Sequence, residues 1–399
     1  MHKINIKHIN QKLILENIFN KKEISRSELS KILKISKSTV TENISYLLKT
    51  NIIKEVGKGI SMPLGGKKPI LLSFNNDYAK IIAIDLSFAE PIFVLANIGG
   101  DILYETTINI SKNLKYNQRL KLIINSVEKI LLKNNLQIDD IEVISISSPG
   151  IYSPQNKLFI ANKQFEEWHI DKLHEDLINY FNIKIIISND VNSAALGETT
   201  NGVAINKKNV LFIGCGLGIG AGIIVDGKLH KGFKCSAGAI SNFKLDCNDK
   251  NIEDTLENKI NIIALINKYK NENIPDETMS YFKSQNKTKK NCNFKDIVNL
   301  YKIKDKYTMD NIYTISEILA HTIHNILCIV NSEIVIIGGD YSLFSSEMVN
   351  IINKIIKNVY YYPIEISSSK LGKYSGIYGL LSVSRDYIFD KVCCFDNNK

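Results

Sequence analysis

Apolar residues fall at helical spacing three times within the first fifty positions. Ile9, Leu13, Ile14 and Ile18 share one side of a helix expected over residues 8–20. Ser27 reads as the N-cap of a second helix with Leu29, Ile32 and Leu33 turned inward, and Ile35 closes the turn that follows. Ser36 caps a third helix running to about Lys49, with Val40, Ile44, Leu47 and Leu48 inward. This is the spacing of a helix-turn-helix. Ile52 and Ile53 then start a strand. Gly57-Lys58-Gly59 and Gly65-Gly66-Lys67-Lys68-Pro69, ahead of Ile70-Leu71-Leu72, read as a hairpin wing.

From Lys80 onward the apolar residues run in short continuous stretches, as buried strands do. One series is Ile81 to Leu86, the turn Ser87-Phe88-Ala89-Glu90-Pro91, Ile92 to Ile98, the turn Gly99-Gly100-Asp101, and Ile102 to Ile110. The same order returns as Val210 to Ile213, the turn Gly214 to Gly220, Ala221 to Val225, and Asp226-Gly227-Lys228. Two such repeats, each followed by helices and further strands, predict two homologous lobes facing a cleft. The expected class is α/β: an N-terminal winged helix-turn-helix over residues 1–75, then a two-lobed actin-like, ribonuclease-H-like body. Its first lobe spans 76–190 and its second 191–374. A helix near residues 375–391 returns to the first lobe, and the end from Cys393-Cys394 to Lys399 reads as a frayed tail.

Charge changes this picture once it is located. Residues 1–70 hold fourteen Lys and Arg against five Asp and Glu, whereas the other 329 residues hold thirty-six of each, so the whole net charge of +9 sits at the N-terminus. A basic head on a neutral body suits a polyanion, because each phosphate contact releases counterions. The third helix turns Lys37, Ser38, Thr39, Thr41, Glu42, Asn43 and Tyr46 outward, mostly short hydrogen-bonding groups of the kind a recognition helix needs in a major groove. Lys58, Lys67 and Lys68 of the wing are placed to reach phosphates or a minor groove. The same pattern fits a three-helix protein-interaction module, but the local charge and the wing favour duplex DNA. The seven cysteines lack C-x-x-C spacing, and no run reaches the roughly 18 apolar residues of a membrane span. A reduced, cytoplasmic protein without a membrane partner is expected.

The two turns differ in what they can hold. Gly214 to Gly220 keeps glycines that let backbone N–H groups approach an anion, although such turns are often no more than tight turns. The first turn puts Phe88 and Glu90 where glycines and a hydroxyl would be needed, so no productive ATP binding and no cofactor are expected.

With these segments in place, the chain resembles the ROK family of repressors and sugar kinases over nearly its whole length. The resemblance rests on Gly65-Gly66-Lys67-Lys68-Pro69-Ile70-Leu71-Leu72, Ser148-Pro149-Gly150, Ala161-Asn162 and, most specifically, Asn189-Asp190-Val191-Asn192-Ser193-Ala194-Ala195-Leu196-Gly197-Glu198. It implies that Asp190 stands where family kinases keep their general base, and that Asn189 and Asn162 meet sugar hydroxyls. Asp190 also ends a strand, where open α/β sheets bind ligands, and an N-cap role for it is the alternative.

Departures from the family pattern limit the chemistry. The family's D-x-G-G-T is here Asp85-Leu86-Ser87-Phe88-Ala89, and its A-G-E-x-G-H is Ala237-Gly238-Ala239-Ile240-Ser241-Asn242. Its zinc motif is reduced to Cys247, so no metal is expected, and the resemblance puts Glu253 where the family's last sugar-binding Glu stands. The expectation is a non-enzymatic repressor of sugar-metabolism genes. It would bind operator DNA as a homodimer or homotetramer under the control of a sugar or sugar phosphate, with Asp190 a vestigial base. An active sugar kinase with a DNA-binding appendage is the alternative.

Overall fold

The computed structural model describes residues 6–59, 68–88, 90–111, 114–153, 158–160, 168–245 and 254–394. The head is built from α1 (Ile6–Lys21), β1 (Glu23–Ser25), α2 (Arg26–Leu33), α3 (Lys37–Lys49), β2 (Ile53–Lys58) and β3 (Ile70–Phe74), with the strands in the order β1-β3-β2. Helix α2 starts after Ser25 rather than at Ser27. Ser25 has Glu28 three residues on, so the pair closes a reciprocal capping box that Ser27 cannot make. Ser36 caps α3 as expected, accepting from the Thr39 N–H at 3.1 Å.

Helix α1 buries Ile14, Leu15 and Ile18 but leaves Ile9 and Leu13 largely exposed. The inward stripe is rotated from the one expected because a second element covers α1. That element is the last helix, and it makes the head continuous with the body. Phe19, Phe74 and Phe389 form a ring cluster with centroids 5.1 to 6.2 Å apart. Arg385 lies 4.2 Å over the Phe19 ring, Lys12 pairs with Asp390, and the Tyr46 hydroxyl donates to the Val392 carbonyl at 2.7 Å. Tyr46 therefore faces the body, not the outer side of α3. The helix runs on through Cys394, and Cys393 is buried in the same core, so the expected fraying does not begin at the cysteine pair.

The first lobe has one five-stranded sheet of β4 (Lys80–Asp85), β5 (Ile92–Asn97), β6 (Ile102–Thr107), β7 (Ile141–Ser148) and β10 (Lys184–Asn189), in the order β10-β7-β4-β5-β6. A small hairpin of β8 (Ile151–Ser153) and β9 (Leu158–Ile160) sits beside it. In the second lobe, β11 (Val210–Cys215), β12 (Ile219–Val225), β13 (Lys228–Leu229), β14 (Ile334–Gly338) and β15 (Glu365–Ser368) take the order β13-β12-β11-β14-β15. Each sheet begins with an antiparallel three-strand meander and adds two parallel strands on its other side. The repeat read from the apolar runs is thus a duplicated topology.

Helices α4 (Tyr116–Lys133) and α5 (Ile170–Phe181) cover one face of the first sheet, where Ile123, Val127, Leu173 and Leu177 meet Ile82, Ile84, Ile144 and Ile146. The second sheet packs Leu211, Ile213, Val335 and Ile337 into a core shared with α7 (Leu256–Ile260), α8 (Ile262–Asn271), α9 (Asp276–Ser284), α10 (Phe294–Lys302), α11 (Lys306–Val330) and α12 (Ser345–Val359). By length and composition α11 could cross a bilayer, yet its Ile312, Ile315, Leu319, Ile323 and Leu327 are buried in this core.

Between the lobes, α6 (Asp190–Thr200) crosses α13 (Ser375–Cys394) at backbone contact. A Cβ on Gly197 would stand 2.0 Å from the Ser375 carbonyl oxygen, and one on Gly379 would stand 1.8 Å from that of Ser193. Glu198, fully buried, fastens the crossing. It accepts from the Ser369 and Ser375 hydroxyls at 2.6 and 2.9 Å and from the Leu371 and Val203 N–H groups at 3.0 and 2.9 Å. A buried carboxyl with no counter-ion among the described residues is tolerated when its oxygens accept in this way.

Candidate functional site

The first candidate surface is the outer face of α3. Lys37, Ser38, Thr41, Glu42, Ser45 and Lys49 are exposed, and Thr39 is half-buried with its hydroxyl 2.8 Å from that of Ser36. Asn43 is a correction. Helical period places it between Val40 and Leu47, and it is 1% exposed, with its side-chain N–H donating to the Thr39 carbonyl at 2.7 Å. It belongs to the inward face and presents nothing to a groove. The first turn of α3 carries no acidic residue, so its N-terminal dipole and the exposed Lys37 leave this end of the helix electropositive. Lys58 ends β2 and Lys68 precedes β3, both exposed, while Lys67 lies outside the described residues.

The second candidate is the cleft between the lobes, a cavity of ≈ 320 Å³. Asn189 and Asp190 reach it from the end of β10, which is where the sequence placed them. The structure assigns the N-cap of α6 to Asn189, whose side-chain oxygen accepts from the Asn192 N–H at 3.1 Å, and not to Asp190. The Asn189 amide also donates to the Gly150 carbonyl and to Asp190, each at 2.9 Å. Asp190 accepts the Val191 N–H at 2.8 Å through the oxygen that takes the Asn189 amide. Asn162 and Glu253 lie outside the described residues.

The sequence marked Asp85 only as the start of the altered phosphate turn and did not single out Glu257 or Asp340, yet all three line the same cavity. Asp85 and Asp340 follow the rule that located Asp190, since each stands at the carboxyl end of a parallel strand, β4 and β14. Glu257 lies in the first turn of α7, behind the Thr255 cap. Phe88 and Ala239 also line the cleft, as do Ser241 and Asn242, so the positions that depart from the family pattern border the cavity.

The carboxyls share an electrostatic problem. Burial pushes Asp190 up to about 7, with the neighbouring Asp85 charge adding to it and hydrogen bonds from Val191 and Asn189 opposing it. Burial raises Asp85 to about 6, against hydrogen bonds from Ser87. In the unfolded chain both ionise near pH 4 or roughly so. The folded chain therefore holds more protons between that pH and neutrality, and its stability falls as pH rises through this window. Asp190→Asn should flatten the decline in urea midpoints measured from pH 5 to pH 8; a slope equal to the parent's would place the retained proton elsewhere.

The sequence profile of the ROK family matches residues 82–386. The xylose repressor of Caldicellulosiruptor bescii is 28% identical over 390 residues, covering 95% of this chain and 96% of that one. The xylose repressor of Bacillus subtilis is 24% identical over 392 residues, or 97% of each chain. A solved ROK family transcriptional regulator, a homologue of the E. coli MLC protein, superimposes with a TM-score of 0.77 at 20% identity over 97% of this chain and 98% of that one. A ROK family glucokinase from Streptomyces griseus, solved with glucose and AMPPNP, reaches a TM-score of 0.68 at 17% identity over 77% of this chain and all of that one. The likenesses to solved structures describe the fold, and the profile spans most of the sequence: the chain belongs to the ROK family.

Proposed function

We propose that the protein is a sequence-specific DNA-binding transcriptional repressor of sugar-metabolism genes, whose inter-lobe cleft senses a small sugar-like effector. The observation that carries this reading is the exposed, hydrophilic face of α3 on a head that holds the protein's entire net positive charge. Relatives matched along the whole chain and named xylose repressors support it.

Helix α13 supplies the path from effector to operator. Its first residues, Ser375 and Gly376, line the cleft, and its last turns, through Phe389 and Val392, pack on the head. A ligand that prefers one lobe arrangement changes operator affinity only by its differential affinity for the two arrangements. Two heads are needed to cover two half-sites about one helical turn apart, which favours a homodimer or homotetramer.

A second reading, a sugar kinase, draws support from one observation. Asp190 borders the cleft with its carboxyl raised to about 7, which suits a general base. Against it, Phe88 lines the cavity where the family's phosphate turn carries glycine. Footprinting upstream of the protein's own gene and its neighbours, repeated with a panel of pentoses and hexoses, tests the repressor reading. Protection of a discrete site that one sugar relieves is the expected result. ADP release with the same panel and no protection would favour the kinase.

A further inference from the structure

Among its described lining residues the cleft is rich in hydrogen-bond acceptors and holds no balancing cation. Asp85, Asp190, Glu257 and Asp340 border it, and its described lining residues include no lysine, arginine or histidine. Asn192 also borders it and is 5% exposed, with a side-chain oxygen that has no hydrogen-bond partner among the described residues. A hydroxyl proton would satisfy that oxygen. An ionised phosphate, rich in acceptors, would not.

The turn that should welcome an anion is already engaged. In the Gly214 to Gly220 segment, the Gly216 N–H donates to the Gly218 carbonyl at 3.0 Å, and the Ile219 N–H donates to the Glu257 carboxylate at 3.0 Å. Glu257 thus holds a backbone donor that a phosphate oxygen would otherwise take. Asp340 closes the adjoining side: a Cβ on Gly216 would lie 2.7 Å from its Oδ2. The Gly338-Gly339 turn sets it there, with Gly339 at φ +76 and so close to β11 that a Cβ would stand 2.5 Å from the Cys215 carbonyl oxygen. Burial raises the Asp340 carboxyl to about 6, which leaves it mostly ionised at neutral pH.

We propose that Asp340 is a specificity-determining residue that, together with Glu257, closes the glycine turn to anions and restricts the cleft to unphosphorylated, hydroxyl-bearing ligands. This deepens the reading of the cleft as an effector site and narrows the effector class from sugars and sugar phosphates to sugars without phosphate. Phosphorylated sugars and nucleotides meet like charge and a turn in which the Gly216 and Ile219 donors are already taken, whereas neutral hydroxyls meet acceptors.

The test uses the full-length protein, with inorganic pyrophosphate and glucose 6-phosphate as titrants in calorimetry. The parent should give no saturable binding at millimolar concentrations. Asp340→Asn should gain at least tenfold in pyrophosphate affinity, and Asp340→Asn with Glu257→Gln should gain more, both gains shrinking as salt rises. Should Asp340→Asn lower the melting temperature sharply, Asp340→Ser is the replacement variant. A parent that binds either phosphate as tightly as the variants overturns the proposal. Variants that remain as inert as the parent overturn it equally, since some other feature would then exclude the anion. Whether the parent shifts duplex DNA is read separately, and failure there would sink the repressor reading while leaving the phosphate result to stand.

Discussion

Gly379→Ala is expected to lower the stability of the body by about 3 kcal/mol or more, at or beyond the upper end of typical overpacking costs. The added methyl would stand 1.8 Å from the Ser193 carbonyl oxygen, and backbone cannot rotate aside as a side chain can. The α6–α13 crossing must then widen, which loosens the Glu198 hydrogen bonds to Ser369, Ser375 and Leu371 at the same time. Gly227→Ala is the control. Gly227, unlike the helical Gly379, has a positive φ, +76, but nothing lies within 4 Å of its added Cβ, so only backbone strain of roughly 1 kcal/mol is expected. Urea midpoints followed by circular dichroism separate the two. Equal midpoints for both variants would show that the crossing is not as tight as described.

Lys37→Glu should weaken operator binding by about fivefold to 150-fold, corresponding to roughly 1–3 kcal/mol for one specific contact. The fold should not suffer. Lys37 is exposed in the first turn of α3, where an acidic side chain complements the helix dipole. Asn43→Ala makes the opposite case. That side chain is buried and bonded to the Thr39 carbonyl, so its loss should register as reduced stability rather than as altered base preference. Gel-shift affinity unchanged by Lys37→Glu would remove α3 from the interface.

The particular residues show what was legible in the sequence. The paired strand-turn-strand runs stood out because a strand buried on both faces needs an unbroken apolar stretch, and both sheets follow them. Asn189 and Asp190 were placed by the strand they end. Asn43 is polar by type but falls in the inward series of α3 with Val40, Ile44 and Leu47, so the helical period and not the residue type decides its burial. The orientation of α1 was not legible from the head alone. Ile9 and Leu13 suit an isolated three-helix unit, whereas the buried Leu15 reflects packing on α13, more than 350 positions later in the chain. Glu257 and Asp340 carried no motif of their own, since their proximity to the glycine turn arises only when α7 and β14 are folded beside it.

The measurement that bears most directly on the account is the affinity of the full-length protein for its footprinted upstream site as a function of salt. Each phosphate contact contributes a slope of about −0.9 to the log–log plot, so a basic head gripping DNA through α3 and the wing should give a slope steeper than about −3. Lys37→Glu should make that slope shallower as well as weaken binding. A flat salt dependence, or no saturable binding to any upstream duplex, would contradict the claim that the charged head exists to recognise DNA.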